Sequence, residues 1–204
     1  MNDDLTSRRR DVVLAAVAIA VLALIARFGF IARNGALISP DSTDYTRLAE
    51  NVRAQGVFSL DTSAPFSSSI RRPPVYPGFL LAFVQSGKVS TRGAVIGQAI
   101  VDAGVAVLVL QLALLAFNLR YAVLAGLLYA IHPGAIYSSA SILSESLFTA
   151  LSVGGVLAAV WGRQRNYLSV TALGGVASAL RRSPVLLPCP FLSCLAGSRC
   201  CYRR

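Results

Sequence analysis

The stretch Pro40 to Pro77 reads PDSTDYTRLAENVRAQGVFSLDTSAPFSSSIRRPPVYP, and it is the only long polar segment set between apolar runs. Upstream lies Val12 to Ile31, an apolar run of about 20 residues, the length that crosses a hydrocarbon core of about 30 Å at 1.5 Å per residue. Downstream the apolar runs continue almost to the C-terminus. The chain of 204 residues is 55% hydrophobic and 14% charged, whereas ordinary soluble domains are about 25% charged. These patterns predict an all-α, polytopic transmembrane helical protein of about four to five spans, in which this loop is where water and charge meet the membrane.

The charge distribution narrows the partners. Nine acids face nineteen basic residues, of which only Lys88 is lysine, and the net charge is +10. A basic chain invites a nucleic-acid reading, because cationic patches release counterions from phosphate backbones. Here the arginines instead stand beside apolar runs, at Arg8 to Arg10, Arg120, and Arg163 with Arg165. Cytoplasmic flanks of membrane helices are marked in this way. The expected partner is the lipid bilayer, with no nucleic acid.

Residues 1–11 then form a cytoplasmic tail and 12–31 the first transmembrane helix. A cleaved signal peptide is the rival for this run, but the run is long for one and no small-x-small site follows it cleanly. Arg27, near the outer end, is expected to snorkel to the interface. Residues 32–77 become an external loop, and 78–180 a helical bundle. In that bundle Val75 to Phe83 is too short to cross and reads as a re-entrant or tilted half-helix. Gly93 to Phe117 is a full span. Tyr121 to Tyr137 returns, interrupted at His132-Pro133-Gly134, and Leu147 to Trp161 crosses again. A fifth span starts near Leu168.

All four cysteines fall in the last sixteen residues, at 189, 194, 200 and 201. Their spacing is not that of a zinc site, and the composition break reads residues 181–204 as an atypical tail from a frameshifted or prematurely ended reading frame, with a cysteine-rich extracellular tail as the rival reading.

Within the loop, Ser39-Pro40-Asp41 is a helix start, with proline early and a short polar side chain to accept a free N–H. Tyr45, Leu48, Ala49 and Val52 recur at helical spacing, and Gly56 is placed to end the helix. Asp44, Arg47, Glu50 and Arg53, three apart, are spaced to pair with one another. The pattern predicts an amphipathic juxtamembrane helix.

Three clusters make a more specific pattern: Asp41-Ser42-x-x-Tyr45-x-x-Leu48-Ala49-x-Asn51, Gly56-x-Phe58-Ser59, and Arg72-Pro73-Pro74-x-Tyr76-Pro77. This resembles the first external loop of GT-C superfamily glycosyltransferases, of the family 39 type that includes protein mannosyltransferases and the aminoarabinose transferase of lipid A. Gln98, His132-Pro133 and Ser144-Glu145-Ser146-Leu147-Phe148 are also similar to family positions. Family members are longer, so the resemblance marks this chain as the N-terminal part or a truncated copy.

The resemblance implies transfer of a mannose-like hexose or pentose from a polyprenyl-phosphate carrier to an acceptor hydroxyl. The acceptor is a lipid, glycan or protein, and the location is the external face of the cell (inner) membrane. Asp41 matches the loop acid that takes the acceptor proton. Arg72, with Arg71 beside it, matches the cation that holds the donor phosphate. Tyr45, Tyr76 and Glu145 would line the substrate cavity. A divalent cation, magnesium or manganese, is the cofactor the resemblance admits, with Asp41 and Glu145 as its ligands. Many members carry a second acid directly after the first, where this chain has Ser42.

Each residue also has a plainer reading. Asp41 is then a helix cap, Arg71 and Arg72 interfacial anchors, and Tyr45 and Tyr76 part of an aromatic belt. Glu145 favours a helix N-terminus, and His132 is a helix-end residue. Asp102, a carboxylate inside a span, is expected to bond a neighbouring helix, and it motivates the rival reading of a small transporter or channel subunit. A non-catalytic membrane protein is the other rival.

Overall fold

The computed structural model describes residues 2–164. The expected fifth span and the tail lie outside the described residues. The described chain is mostly helical: α1 (Asn2–Asn34), α2 (Pro40–Gln55), α3 (Val75–Leu80), α4 (Thr91–Leu114), α5 (Leu119–Ala130), α6 (Pro133–Ala140) and α7 (Glu145–Gln164). Three segments are long and apolar enough to cross a membrane, Ser7–Asn34, Thr91–Leu114 and Glu145–Arg163. A fourth is formed if α5 and α6, bent by 46°, count as one broken span. The bend falls at Pro133, which has no N–H to donate, and His132 caps α6 by accepting the Ala135 N–H on Nδ1 at 3.3 Å.

The helices α1, α4 and α5 meet through small side chains. Ile19, Ala23, Ala103, Ala106, Leu110, Ala122 and Ala130 are buried together, while Val13, Leu14, Val17, Val21 and Ile25 point away from the bundle. Between spans there is little hydrophobic drive, so close packing and polar contacts must hold the helices together. Gly126 shows how close the approach is: a Cβ there would stand 2.8 Å from Ile19 Cδ1 and 3.3 Å from the Ala106 carbonyl.

Arg27 does not snorkel. It is fully buried, and its Nε donates to Asp102 Oδ2 at 2.6 Å, across 75 residues of sequence. Nη2 approaches the same oxygen at 2.6 Å as an ion-pair contact without hydrogen-bond alignment. Nη1 donates to the carbonyls of Ala23 at 3.0 Å and Ala130 at 2.9 Å. Tyr129 donates its hydroxyl to Asp102 Oδ1 at 2.9 Å. A buried charge is expensive unless paired and hydrogen-bonded, and Asp102, halfway along α4, answers that cost. As expected, Asp102 bonds neighbouring helices.

The all-helical expectation needs one correction. Val75 to Phe83 is not a single half-helix: α3 passes into a 3-10 turn (Leu81–Phe83) and then an antiparallel hairpin, β1 (Val84–Gln85) and β2 (Lys88–Val89). Ser86 and Gly87 make its two-residue turn with φ of 50° and 79°, the left-handed pair that suits the twist of a tight hairpin. The hairpin delivers Ser90, which caps α4 by accepting the Gly93 N–H.

Aromatic rings tie this segment to the bundle. Tyr45 meets Tyr76 edge-on at 4.9 Å, Tyr76 stacks near Phe79 at 6.1 Å, and Phe79 meets Phe83 at 5.1 Å. Phe83 ends the series where a side chain on Gly97 would stand, with its Cε1 3.0 Å from that Cβ position. Gly97→Ala should therefore lower stability in thermal unfolding by about 1–3 kcal/mol, the usual cost of overpacking. Gly104→Ala, whose Cβ would meet no heavy atom within 4 Å, should cost nothing.

Candidate functional site

The site begins with the ends of α2. Ser39 and Ser42 form a reciprocal capping box, Pro40 takes the first helical position, and Gly56 closes the helix at φ 70°. The cap is therefore Ser39, and Asp41 is left in the first turn with its carboxylate half exposed. That removes the plain reading of Asp41 as a cap. Ser42 is committed to structure as well: its Oγ donates to the Ile142 carbonyl at 2.9 Å.

The chain between α1 and α2 is fastened to the one between α6 and α7. Leu37 pairs with Ser141 in a parallel bridge, with Leu37 N donating to Ala140 O at 2.9 Å and Ile142 N to Leu37 O at 3.2 Å. Tyr76 donates its hydroxyl to Gln98 Oε1 at 2.7 Å, and Gln98 Nε2 donates to the Ser138 and Ser141 carbonyls, each at 2.8 Å. Burial first, then the carboxylate of Glu145 and the ring of Tyr45, push the Tyr76 phenol well above its ordinary range. It stays a neutral donor.

Arg72 is brought onto α2 by this framework. Its Nη2 pairs with Asp41 Oδ1 and with Asp44 Oδ2 at 3.0 Å, and its Nε reaches the same Asp44 oxygen at 3.2 Å. The guanidinium lies 5.3 Å from the centre of the Tyr45 ring. Hydrogen bonds to Asp41 and then Asp44 hold its pKa above the ordinary arginine value. A permanent cation is thus fixed between two carboxylates that share one helix face at a spacing of three.

Beside this cluster lies an apolar groove of about 280 Å³, lined in part by Tyr45, Pro73, Pro74, Tyr76, Leu147 and Phe148. Tyr45 and Tyr76 are largely buried but present part of their surface to it. Tyr45 also reaches Ser144 at 3.4 Å.

The expected residues separate into those that converge and those that do not. Asp41, Arg72, Tyr45 and Tyr76 come together. Arg71 is exposed, with its backbone N–H on Ser69 Oγ, and makes no ion pair among the described residues. Glu145 starts α7, exposed, close enough to act on the Tyr76 phenol. No group of three or more His, Cys, Asp or Glu is placed to hold a metal ion among the described residues.

Asp44 is the residue that the sequence reading did not place here. The signal that could have found it is its spacing of three from Asp41; the sequence instead suggests pairing of Asp44 with Arg47, Glu50 and Arg53 along α2. Within α2 that pairing does not form: Arg47 reaches the Leu60 carbonyl at 3.4 Å and Glu50 accepts the Val89 N–H at 3.0 Å.

No family model matches the chain, and no curated protein or solved structure is significantly similar to it. The resemblance to GT-C enzymes therefore stands only on the residues quoted for it, in the loop and at Gln98, His132-Pro133 and Ser144 to Phe148.

The rest of the loop is held by Asp61, whose Oδ2 accepts from Ser67 N and Ser67 Oγ at 2.7 Å each and from Ser59 Oγ at 3.0 Å. The Ser67 backbone N–H, then the two hydroxyls, keep its pKa below the ordinary 3.8. A depressed folded pKa means that this clamp is at full strength above 3.8 and is lost as pH falls through the lower folded value. The Asp61 carboxyl resonance should titrate with a midpoint below 3.8. Ser67→Ala, which keeps the backbone donor, should raise that midpoint only part of the way.

Proposed function

We propose that this chain is a membrane glycosyltransferase that moves a mannose-like hexose or a pentose from a polyprenyl-phosphate carrier to an acceptor hydroxyl. It works at the external face of the inner membrane, with its N-terminus in the cytoplasm. The observation that carries the reading is the cation Arg72, fixed beside a carboxylate and over the ring of Tyr45, which lines an apolar groove. A lipid phosphate has the matching chemistry, an anion on an apolar chain.

In this reading Arg72 turns from Asp41 to the incoming phosphate and stays anchored by Asp44. Asp41, released, takes the proton of the acceptor hydroxyl as its oxygen attacks the anomeric carbon. The bond from that carbon to the phosphate oxygen breaks, and its electron pair leaves with the phosphate, where Arg72 balances the new charge. Tyr45 and Tyr76 form the wall against which the donor rests.

The transporter reading loses its motive, because Asp102 is closed in by Arg27 and Tyr129 instead of lining a path.

The test is transfer from radiolabelled polyprenyl-phosphate sugars in membranes carrying the inserted chain. Asp41→Asn should lower the rate by about 10²–10⁴-fold, the range for loss of a general base. Arg72→Gln should abolish donor use, while Arg71→Gln should retain it. Absence of transfer by the unaltered chain across the polyprenyl-phosphate sugars would overturn the assignment.

A further inference from the structure

A second groove, separate from the Arg72 cluster, lies where the last turns of α1 meet the first turns of α4. Phe28, Ile31, Ala32, Val95 and Ile96 give it apolar walls, and Arg92 with Thr91 stands at its edge. Its volume is about 630 Å³, more than twice that beside Arg72. Phe28 and Ile96 are both exposed, so in a bilayer these walls face lipid.

The charges around this opening are predominantly positive. Arg92 is exposed at the start of α4, Arg33 is in the last turn of α1, and Lys88 is in the hairpin that leads into α4. The carboxylate that touches that hairpin, Glu50 of α2, is committed to the Val89 N–H. Each of Arg33 and Arg92 lies at the end of an apolar helix, the level at which cations meet head groups.

We infer that this groove is a binding site for an anionic phospholipid of the surrounding bilayer, with its head-group phosphate on Arg92 and an acyl chain between α1 and α4. A zwitterionic lipid offers the same chains, but its own cation opposes Arg92. The inference rests on the membrane placement proposed above and not on glycosyl transfer.

Native mass spectrometry of the full chain, released from nanodiscs holding equal phosphatidylglycerol and phosphatidylcholine, tests it. The unaltered chain should retain phosphatidylglycerol over phosphatidylcholine by roughly fivefold, the ratio that one interfacial charge supports. Arg92→Gln should bring the ratio near one, and Arg71→Gln should leave it unchanged. Ala32→Trp, which fills the groove and keeps every charge, should remove both lipids. Equal retention of the two lipids by the unaltered chain would overturn the site. So would an Arg71→Gln effect as large as that of Arg92→Gln, or retention unaffected by Ala32→Trp. Failure of the chain to enter nanodiscs would overturn the membrane placement itself.

Discussion

One ion pair between apolar helices, Arg27 with Asp102, fixes the frame on which the rest of the described chain is built. Either charge alone in an apolar helix would be costly. Together, with Tyr129 and two carbonyls, they satisfy one another and tie α1, α4 and α5 at one level. The Ala130 carbonyl is the point to notice, because α5 ends there and the break before α6 interrupts the helical hydrogen-bond ladder at that residue. Arg27 thus closes the backbone gap that the bend opens.

The consequences run outward from that level. With α5 and α6 held at their bend, the carbonyls of Ser138 and Ser141 are in position for Gln98, and Gln98 for Tyr76. Tyr76 supports Tyr45, and Tyr45 lies under Arg72. A buried pair in the helices is therefore connected, through a short series of neutral hydrogen bonds and ring contacts, to the charged cluster on α2. The cluster owes its geometry to packing beneath it and its charge to the water above it.

Much of this was legible in the sequence, for local reasons. Ser39-Pro40 and Gly56 mark the ends of α2 because capping and left-handed closure depend on residues within one turn. Apolar run length shows the spanning helices, and His132-Pro133 shows the break. The hairpin was missed because two residues per strand carry no alternation, and only Ser86-Gly87 signals it. Arg27 was misread because a charge near a span end is ordinarily interfacial; its partner stands 75 residues away, and periodicity does not say which helices meet. Asp44 was misassigned for the same reason, since spacing along α2 shows a shared face but not that Arg72 arrives upon it.

The measurement that tests this account most directly is a double-mutant cycle on Arg27 and Asp102, read by unfolding of the full chain in lipid or detergent. Asp102→Leu and Arg27→Met should each destabilise the fold by about 3–5 kcal/mol, the cost of stranding a buried partner or its hydrogen bonds. The double substitution should recover most of that loss, because an apolar pair leaves no charge unpaired. Two small and additive losses would contradict the account, and would mean that the helices find their arrangement without this pair.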